Sequence, residues 1–286
     1  MLETYFDSLG VTGKSPQTIK TYRLQLHKFF EWLKLNDGSE DPKEITAIDA
    51  VEYRDYQLNE KGLKPASVNT ALAAIEALCK WMQDEGHINH NPLAKVKRPE
   101  QAQEAPKWLN KSEKYRVIRA AMKEKDKRNT AIIFTLMFAG LRASELVNLI
   151  PEDLIFGNRK GSVTVRIGKG KKRRTVPMGK DLRDCLGEYL LERRATGKWL
   201  FGSQRGDQLT YMGVYQFCDT IGKKAGVDGL TPHVLRHTFC HDLVTKGVDI
   251  GMVAKLAGHV KIDTTLIYTQ PGEQELQDAV EKLSFT

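Results

Sequence analysis

The stretch Thr231-Pro232-His233-Val234-Leu235-Arg236-His237 is well suited to hold an anion. Threonine followed by proline starts a helix: the hydroxyl accepts from an early backbone N–H, and proline at the first helical position sacrifices no hydrogen bond. His233 then falls in the first turn, and Arg236, three residues on, shares its face. The early N–H groups and the positive end of the helix dipole point the same way, so this assembly can receive one phosphate. A surface helix whose His and Arg merely face water is the plain alternative for this segment alone. His237 and His241 continue the histidines at i+4 and i+8, which raises zinc ligation. The helical zinc signature needs a Glu beside the first His, where Val234 stands, so packing and hydrogen bonding account better for these two rings.

Three further segments carry reactive groups. In Ala139-Gly140-Leu141-Arg142-Ala143-Ser144-Glu145-Leu146, a long apolar run is cut by Gly140 and Arg142 opens a new helix. A guanidinium fork can grip two phosphate oxygens, and Glu145 at i+3 can hold it in place. As an exposed ion pair alone it is worth only about 0.3–0.5 kcal/mol. Ile167-Gly168-Lys169-Gly170-Lys171-Lys172-Arg173-Arg174 puts five cations within six residues at a hairpin tip, a field that attracts any polyanion. Lys169, flanked by glycines, can approach a substrate closely and protonate a leaving oxygen. Finally, Gly258 has the place of a helix-ending glycine that projects His259, and Tyr268 lies near the end of the next short helix. A lone tyrosine is ordinarily a packing residue.

The elements that must position these groups follow from periodicity. The chain has 286 residues, 41% hydrophobic and 28% charged, which suits two globular domains and excludes collagen-like, disordered and disulfide-stapled classes. No apolar run is long enough for a membrane span, the N-terminus has no signal-peptide pattern, and the four cysteines are far apart with no CxxC pair. A reducing, cytoplasmic location is expected. Ser15-Pro16 starts a helix with apolar residues at Ile19, Tyr22, Leu26, Phe29, Phe30 and Leu33; further helices are expected over 46–60 and 65–85. Residues 1–88 therefore read as an all-helical domain, and 89–107, with Pro92, Pro99 and Pro106, as a linker. Beyond it, helices are expected at 111–123, 129–139, 142–149, 180–194, 211–225, 231–246, 249–257, 262–269 and 273–283. Alternating Val163, Val165 and Ile167 make a strand, with 171–176 returning as its hairpin partner. The fold class is mainly α with a small antiparallel β-sheet. The net charge of +8 is uneven: residues 1–105 carry −3 and the remainder +11. The second domain thus holds the entire cationic surplus, compatible with a polyanionic partner.

Taken in order, Arg142, Lys169, His233–Arg236, Gly258-His259 and Tyr268 form a set, and the chain resembles the tyrosine site-specific recombinases of the phage integrase family, most of all the simple Xer-type members. The matching stretches are AGLRASELVNL, IGKGKKRRTVP, TPHVLRHTF, LAGH and TTLIYT, within about 108–270. Ala257 stands where many members have a bulkier residue, and Gln270 where His is frequent; neither is a proposed catalytic group. The resemblance implies a two-domain, C-shaped clamp, with 1–88 as a helical core-binding (SAM-like) domain and 108–286 as the catalytic domain with a C-terminal tail helix. It implies that Tyr268 attacks a DNA phosphodiester, forming a 3′-phosphotyrosyl link that a partner strand's 5′-hydroxyl reopens through a Holliday junction. Arg142 and Arg236 neutralise the nonbridging oxygens, His259 donates to them, His233 accepts the tyrosine proton, Lys169 protonates the leaving oxygen, with Lys171 and Lys172 as the alternatives for that role if the hairpin register slips, and Glu145 orients the pocket. Only about one tyrosine in a thousand is phenolate at pH 7, so activation must supply roughly 4 kcal/mol.

No metal, nucleotide or other cofactor is expected. The partner is double-stranded DNA with an inverted-repeat core site, gripped through Lys171, Lys172, Arg173 and Arg174 of the hairpin and through Lys61 and Lys64 of the first domain, in a basic face with Lys14, Lys20 and Arg23. The assembly is a homo-tetramer on two sites, or a hetero-tetramer with a paralogue, on the nucleoid and away from membrane. Dimer resolution, cointegrate resolution and integration or excision all remain open as biological roles. A type IB topoisomerase-like nicking-closing enzyme and a non-catalytic DNA-binding protein are the alternatives.

Overall fold

A computed structural model describes residues 1–101, 106–157, 159–166, 173–193, 197–203, 208–259, 265 and 280. The chain forms two compact units, Met1–Gln103 and Glu104–Thr286, each with its own core.

The first unit is helical: α1 (Leu2–Val11), α2 (Pro16–Leu35), α3 (Ala47–Asp55) and α4 (Pro65–Asp84). Ser15 caps α2 by accepting from the Thr18 N–H, with Pro16 in the first turn. Thr46 and Asp49 cap α3 reciprocally. The α2 face read from the sequence is the one that packs: Leu26, Phe29, Phe30 and Leu33 meet Leu72, Ile75, Leu78 and Met82 of α4. Two features depart from expectation. The helix expected over 46–60 stays α-helical only to Asp55 and continues as a π-turn over Tyr56–Glu60. Helix α1 is an addition to the expected elements, with Tyr5, Phe6 and Leu9 burying one face of it.

Most of the expected linker also belongs to this unit. A 3-10 turn at Pro92–Lys95 buries Leu93 in the helical core. Arg98 pairs with Glu76, and Asn69 donates to the Pro99 carbonyl at 3.0 Å. At the other end, the Leu109 N–H donates to Thr238 Oγ1 at 2.9 Å and Trp108 stacks on His241. Residues 102–105 lie outside the described residues.

The second unit is built on α6 (Lys127–Ala139), whose Ala131, Ile132, Ile133, Leu136, Met137 and Ala139 are buried. Apolar residues on so many sides require neighbours all round. These are α5 (Lys111–Met122), α8 (Lys180–Glu192) and α10 (Pro232–Thr245), with α9 (Tyr211–Ala225) packed on α5. The short α7 (Ala143–Leu146) follows α6, and α11 (Ile250–Ala257) follows α10. Among the described residues the sheet is antiparallel in the order β1 (Leu154–Phe156), β2 (Gly161–Val165), β3 (Arg174–Pro177). Val163 pairs with both Leu154 and Val176, and that face enters the core. Strand β1 is also additional, because Leu154-Ile155-Phe156 shows no alternation. The helices expected at 262–269 and 273–283 lie, apart from Thr265 and Val280, outside the described residues. No described helix is long and apolar enough to cross a membrane, and none of the four cysteines is in a disulfide.

Candidate active site

Two glycines shape the backbone around the site. Gly140 ends α6 in the left-handed region at φ +61°, and a Cβ there would lie 2.2 Å from Phe239 Cδ1. The chain can therefore turn sharply against α10, and Arg142 emerges two residues later. Gly258 ends α11 at φ +69°, and its Cβ would meet Arg174 Nη1 at 2.8 Å. Only a residue without a side chain fits either place comfortably.

Glu145 is the centre of the site. Its side chain is 1% exposed. It accepts from the Arg142 backbone N–H at 2.8 Å and from Arg142 Nη1 at 2.9 Å. Arg174 engages both carboxylate oxygens, Nη1 to Oε1 and Nη2 to Oε2, each at 2.8 Å. Arg236 Nη1 stands 4.0 Å from Oε2. Burial works against the charge on Glu145, but the hydrogen bonds and charge of Arg174, then those of Arg142, prevail and hold the carboxyl below its ordinary range.

The arginines are pinned a second time, by the end of α11. Arg174 Nε donates to the Leu256 carbonyl at 2.9 Å, Arg236 Nη2 to Ala257 at 2.6 Å, and Arg142 Nη2 to Gly258 at 3.0 Å. Arg236 Nη1 also donates to the Gly140 carbonyl at 2.6 Å. The last carbonyls of a helix lack partners within it and carry the negative end of its dipole, so cations are favoured there. Arg236 is 3% exposed. Burial, then the nearby Arg142, pulls its guanidinium down to about 10, still protonated at neutral pH.

Histidines border this cluster. His259 follows the Gly258 turn, and its Nδ1 lies 2.8 Å from Oγ1 of the buried Thr265. Burial, then Arg236 and Arg142, lowers its pKa to about 4. His233 keeps an exposed edge in the first turn of α10 and stacks on His237 with ring centroids 5.4 Å apart. Partial burial followed by Arg236 and Arg142 lowers His233, while burial followed by His233 and Arg236 takes His237 to about 4. His241 does not join them as a third ligand but stacks on Trp108 at 4.3 Å. Among the described residues, no group of three His, Cys, Asp or Glu side chains could hold a metal.

The structure thus gathers Arg142, Glu145, Arg236 and His259, with His233 at the edge. Lys169, Lys171, Lys172 and Tyr268 lie outside the described residues. Arg173 is exposed, as a DNA contact would be. Arg174, expected as another such contact, requires a correction: its side chain is 12% exposed and its fork is turned inward onto Glu145. The signal for this lies in strand alternation. Arg174 is two residues before buried Val176 and so shares the core-facing side of β3. Sequence reasoning also misses Thr265 as a partner of His259. In the first unit, Lys61 and Lys64 are exposed, whereas Arg23 is bound to Glu3 through two hydrogen bonds and lies 4.3 Å from the Phe6 ring centroid.

Comparison with known proteins agrees with this architecture. The profile of the phage integrase family matches residues 107–275, and that of the phage integrase N-terminal SAM-like domain matches residues 1–87. The tyrosine recombinase XerD of Listeria monocytogenes is 32% identical over 276 residues, covering 93% of this chain and 92% of that protein. The tyrosine recombinase XerA of Pyrococcus horikoshii is 34% identical over 285 residues, covering 99% and 93%. Among solved structures, the XerH site-specific recombinase bound to palindromic difH substrate, in a post-cleavage complex, superposes with a TM-score of 0.76 at 26% identity, covering 92% of this chain and 78% of that one. The chain belongs to the phage integrase family and is a tyrosine site-specific recombinase of the Xer-like type.

Proposed function

We propose that this recombinase cleaves and rejoins double-stranded DNA at an inverted-repeat core site, with Tyr268 as the nucleophile. Tyr268 attacks the scissile phosphorus, forming a 3′-phosphotyrosyl bond as the 5′-oxygen leaves. Lys169 gives that oxygen its proton, and His233 accepts the phenol proton. Arg142 and Arg236 stabilise the charge that builds on the nonbridging oxygens, and His259 donates a hydrogen bond to them. A partner strand's 5′-hydroxyl then attacks the phosphotyrosine, and two such exchanges form and resolve a Holliday junction. Each exchange trades one phosphodiester for another, so no nucleotide is consumed.

The observation that carries this reading is that Arg142 and Arg236, beside one buried carboxylate, both donate to the backbone immediately before His259, at Gly258 and Ala257. A guanidinium has five N–H donors, so two bonds to protein carbonyls fix its plane without exhausting it. His233 and His259 are held neutral at pH 7, as a proton acceptor and a neutral donor must be. DNA is gripped by Lys171, Lys172 and Arg173 of the second unit and by Lys61 and Lys64 of the first. Two protomers occupy each core site and two sites make a tetramer, linked by the tail over 273–286.

The test is a suicide duplex carrying the core sequence that the wild-type protein selects from a randomised pool. Wild-type protein should form a denaturant-resistant adduct at a DNA 3′ end, in EDTA as well as in magnesium. Loss of the adduct in EDTA, or its persistence in Tyr268→Phe, would overturn the reading.

A further inference from the structure

We propose that Arg174 is a positioning residue for strand cleavage: by clamping Glu145 to the end of α11, it sets the geometry in which Arg142, Arg236 and His259 meet one phosphate. The proposal rests on the recombinase reading above and concerns a residue to which that reading gives no part in the chemistry.

Three arginines cap three consecutive carbonyls, Leu256, Ala257 and Gly258, but Arg174 differs from the other two. It comes from a strand, and its fork is aligned with the carboxylate, one nitrogen to each oxygen. Its remaining nitrogen is on a backbone carbonyl. Such a side chain has little left to offer a substrate, and at 12% exposure little access to one. It ties together α7, β3 and α11, the elements that supply or adjoin Arg142, the hairpin and His259.

The electrostatics assign it a task. Glu145 is nearly fully buried, and a lone buried carboxylate seeks cationic donors strongly. With Arg174 present, both oxygens have their own guanidinium N–H. Without it, the close ionic partner left among the described residues is Arg142, while Arg236 waits 4.0 Å away. The carboxylate would then draw on the two groups that must face phosphate, and the Leu256 carbonyl would lose its donor. Gly258 packs so closely on the Arg174 guanidinium that the turn carrying His259 rests directly on it.

Lysine keeps the charge at 174 but has neither the fork nor the Nε donor, so it cannot satisfy all three acceptors at once. The comparison of wild type, Arg174→Lys and Arg174→Met therefore uses two readouts on the selected suicide duplex. One is the single-turnover cleavage rate at saturating protein. The other is DNA affinity as a function of salt. Cleavage by Arg174→Lys should slow by roughly 10–100-fold, as expected for misplaced catalytic groups. Its affinity and its slope of log K against log salt should match the wild type. A slope shallower by about one in Arg174→Met, with normal cleavage by Arg174→Lys, would make Arg174 a phosphate contact and overturn the proposal. Unchanged cleavage with unchanged affinity would overturn it too. Failure of the lysine variant to unfold cooperatively would do the same, by making Arg174 a residue of general stability. Absence of any wild-type adduct would instead reject the recombinase reading itself.

Discussion

Arg142 and Arg236, 94 residues apart in sequence, donate to carbonyls one residue apart, Gly258 at 3.0 Å and Ala257 at 2.6 Å. Each is also tied to the backbone or side chain that begins at Gly140: Arg236 through the Gly140 carbonyl, Arg142 through Glu145. Two like charges are held close together because one carboxylate and the negative end of a helix lie between and beside them. Donors fixed by this many protein hydrogen bonds are of the preorganised kind that stabilises developing charge with little reorganisation.

This arrangement predicts that Arg236 is needed for stability as well as chemistry. Arg236→Met leaves the Gly140 and Ala257 carbonyls buried without their donors, each worth about 1–3 kcal/mol. It also removes the partial repulsion from Arg142, which offsets some of that loss. A net destabilisation of about 2–4 kcal/mol in urea unfolding is expected, together with loss of the covalent adduct. Arg142→Met, at a side chain that is 26% exposed, should abolish the adduct with a smaller loss of stability.

Gly140→Ala should be severe for a different reason. Its backbone is at φ +61°, and the new methyl would penetrate the Phe239 ring. The left-handed conformation costs about 1–2 kcal/mol and overpacking about 1–3 kcal/mol. Measured against Phe239→Ala alone, which carries its own cavity cost, Gly140→Ala should then cost only the backbone part. Thermal melts of both single variants and the double variant measure the split, and a double variant as stable as Phe239→Ala alone would show the conformational cost to be negligible.

The same residues show how far the sequence can be read. The α6 stop at Gly140, the cap at Thr231 and the α11 stop at Gly258 are legible because each is a local device: a glycine in a left-handed turn or a hydroxyl on an early N–H. The convergence of Arg142, Arg236 and His259 is legible only through family resemblance, since nothing local links positions 142, 236 and 259. Arg174 is misread because a run of cations looks uniform until the register of β3 is known, and register is a property of the pairing with β2. Helix α1 and strand β1 escape for want of length: Tyr5, Phe6 and Leu9 make too short a stripe, and three adjacent apolar residues show no period.

In the first unit, Lys61 and Lys64 stand beside the start of α4 with exposed side chains, while Arg23 is held by Glu3. Reversing both lysines to glutamate should weaken binding to the core duplex and reduce the slope of log K against log salt by roughly two, since each phosphate contact contributes about 0.9. The same reversal at Lys14 and Lys20 tests whether the face extends to α2. Fluorescence anisotropy across a salt series gives both values, and an unchanged slope would remove Lys61 and Lys64 from the interface.

The histidines predict a dependence on pH whose sign follows from the direction in which burial and the arginines move them. His237 and His259 are both lowered from 6.5 to about 4 in the folded protein. The unfolded chain therefore binds protons first as pH falls, and the stability from keeping these rings neutral is fully present above about 6.5. It declines from there to about 4 and is gone below, by about 1.4 kcal/mol for each tenfold difference in proton affinity between the unfolded and folded ring. Replacing His259 with glutamine should flatten that part of the unfolding profile, because a neutral amide has no proton to gain. Cleavage should follow the same groups. With His233 lowered as well, the acid limb of the single-turnover rate should lie below pH 6.5, with a level rate at neutral pH. An acid limb centred at or above 6.5 would mean that these rings are charged in the working site, and that neither His233 as proton acceptor nor His259 as neutral donor describes it.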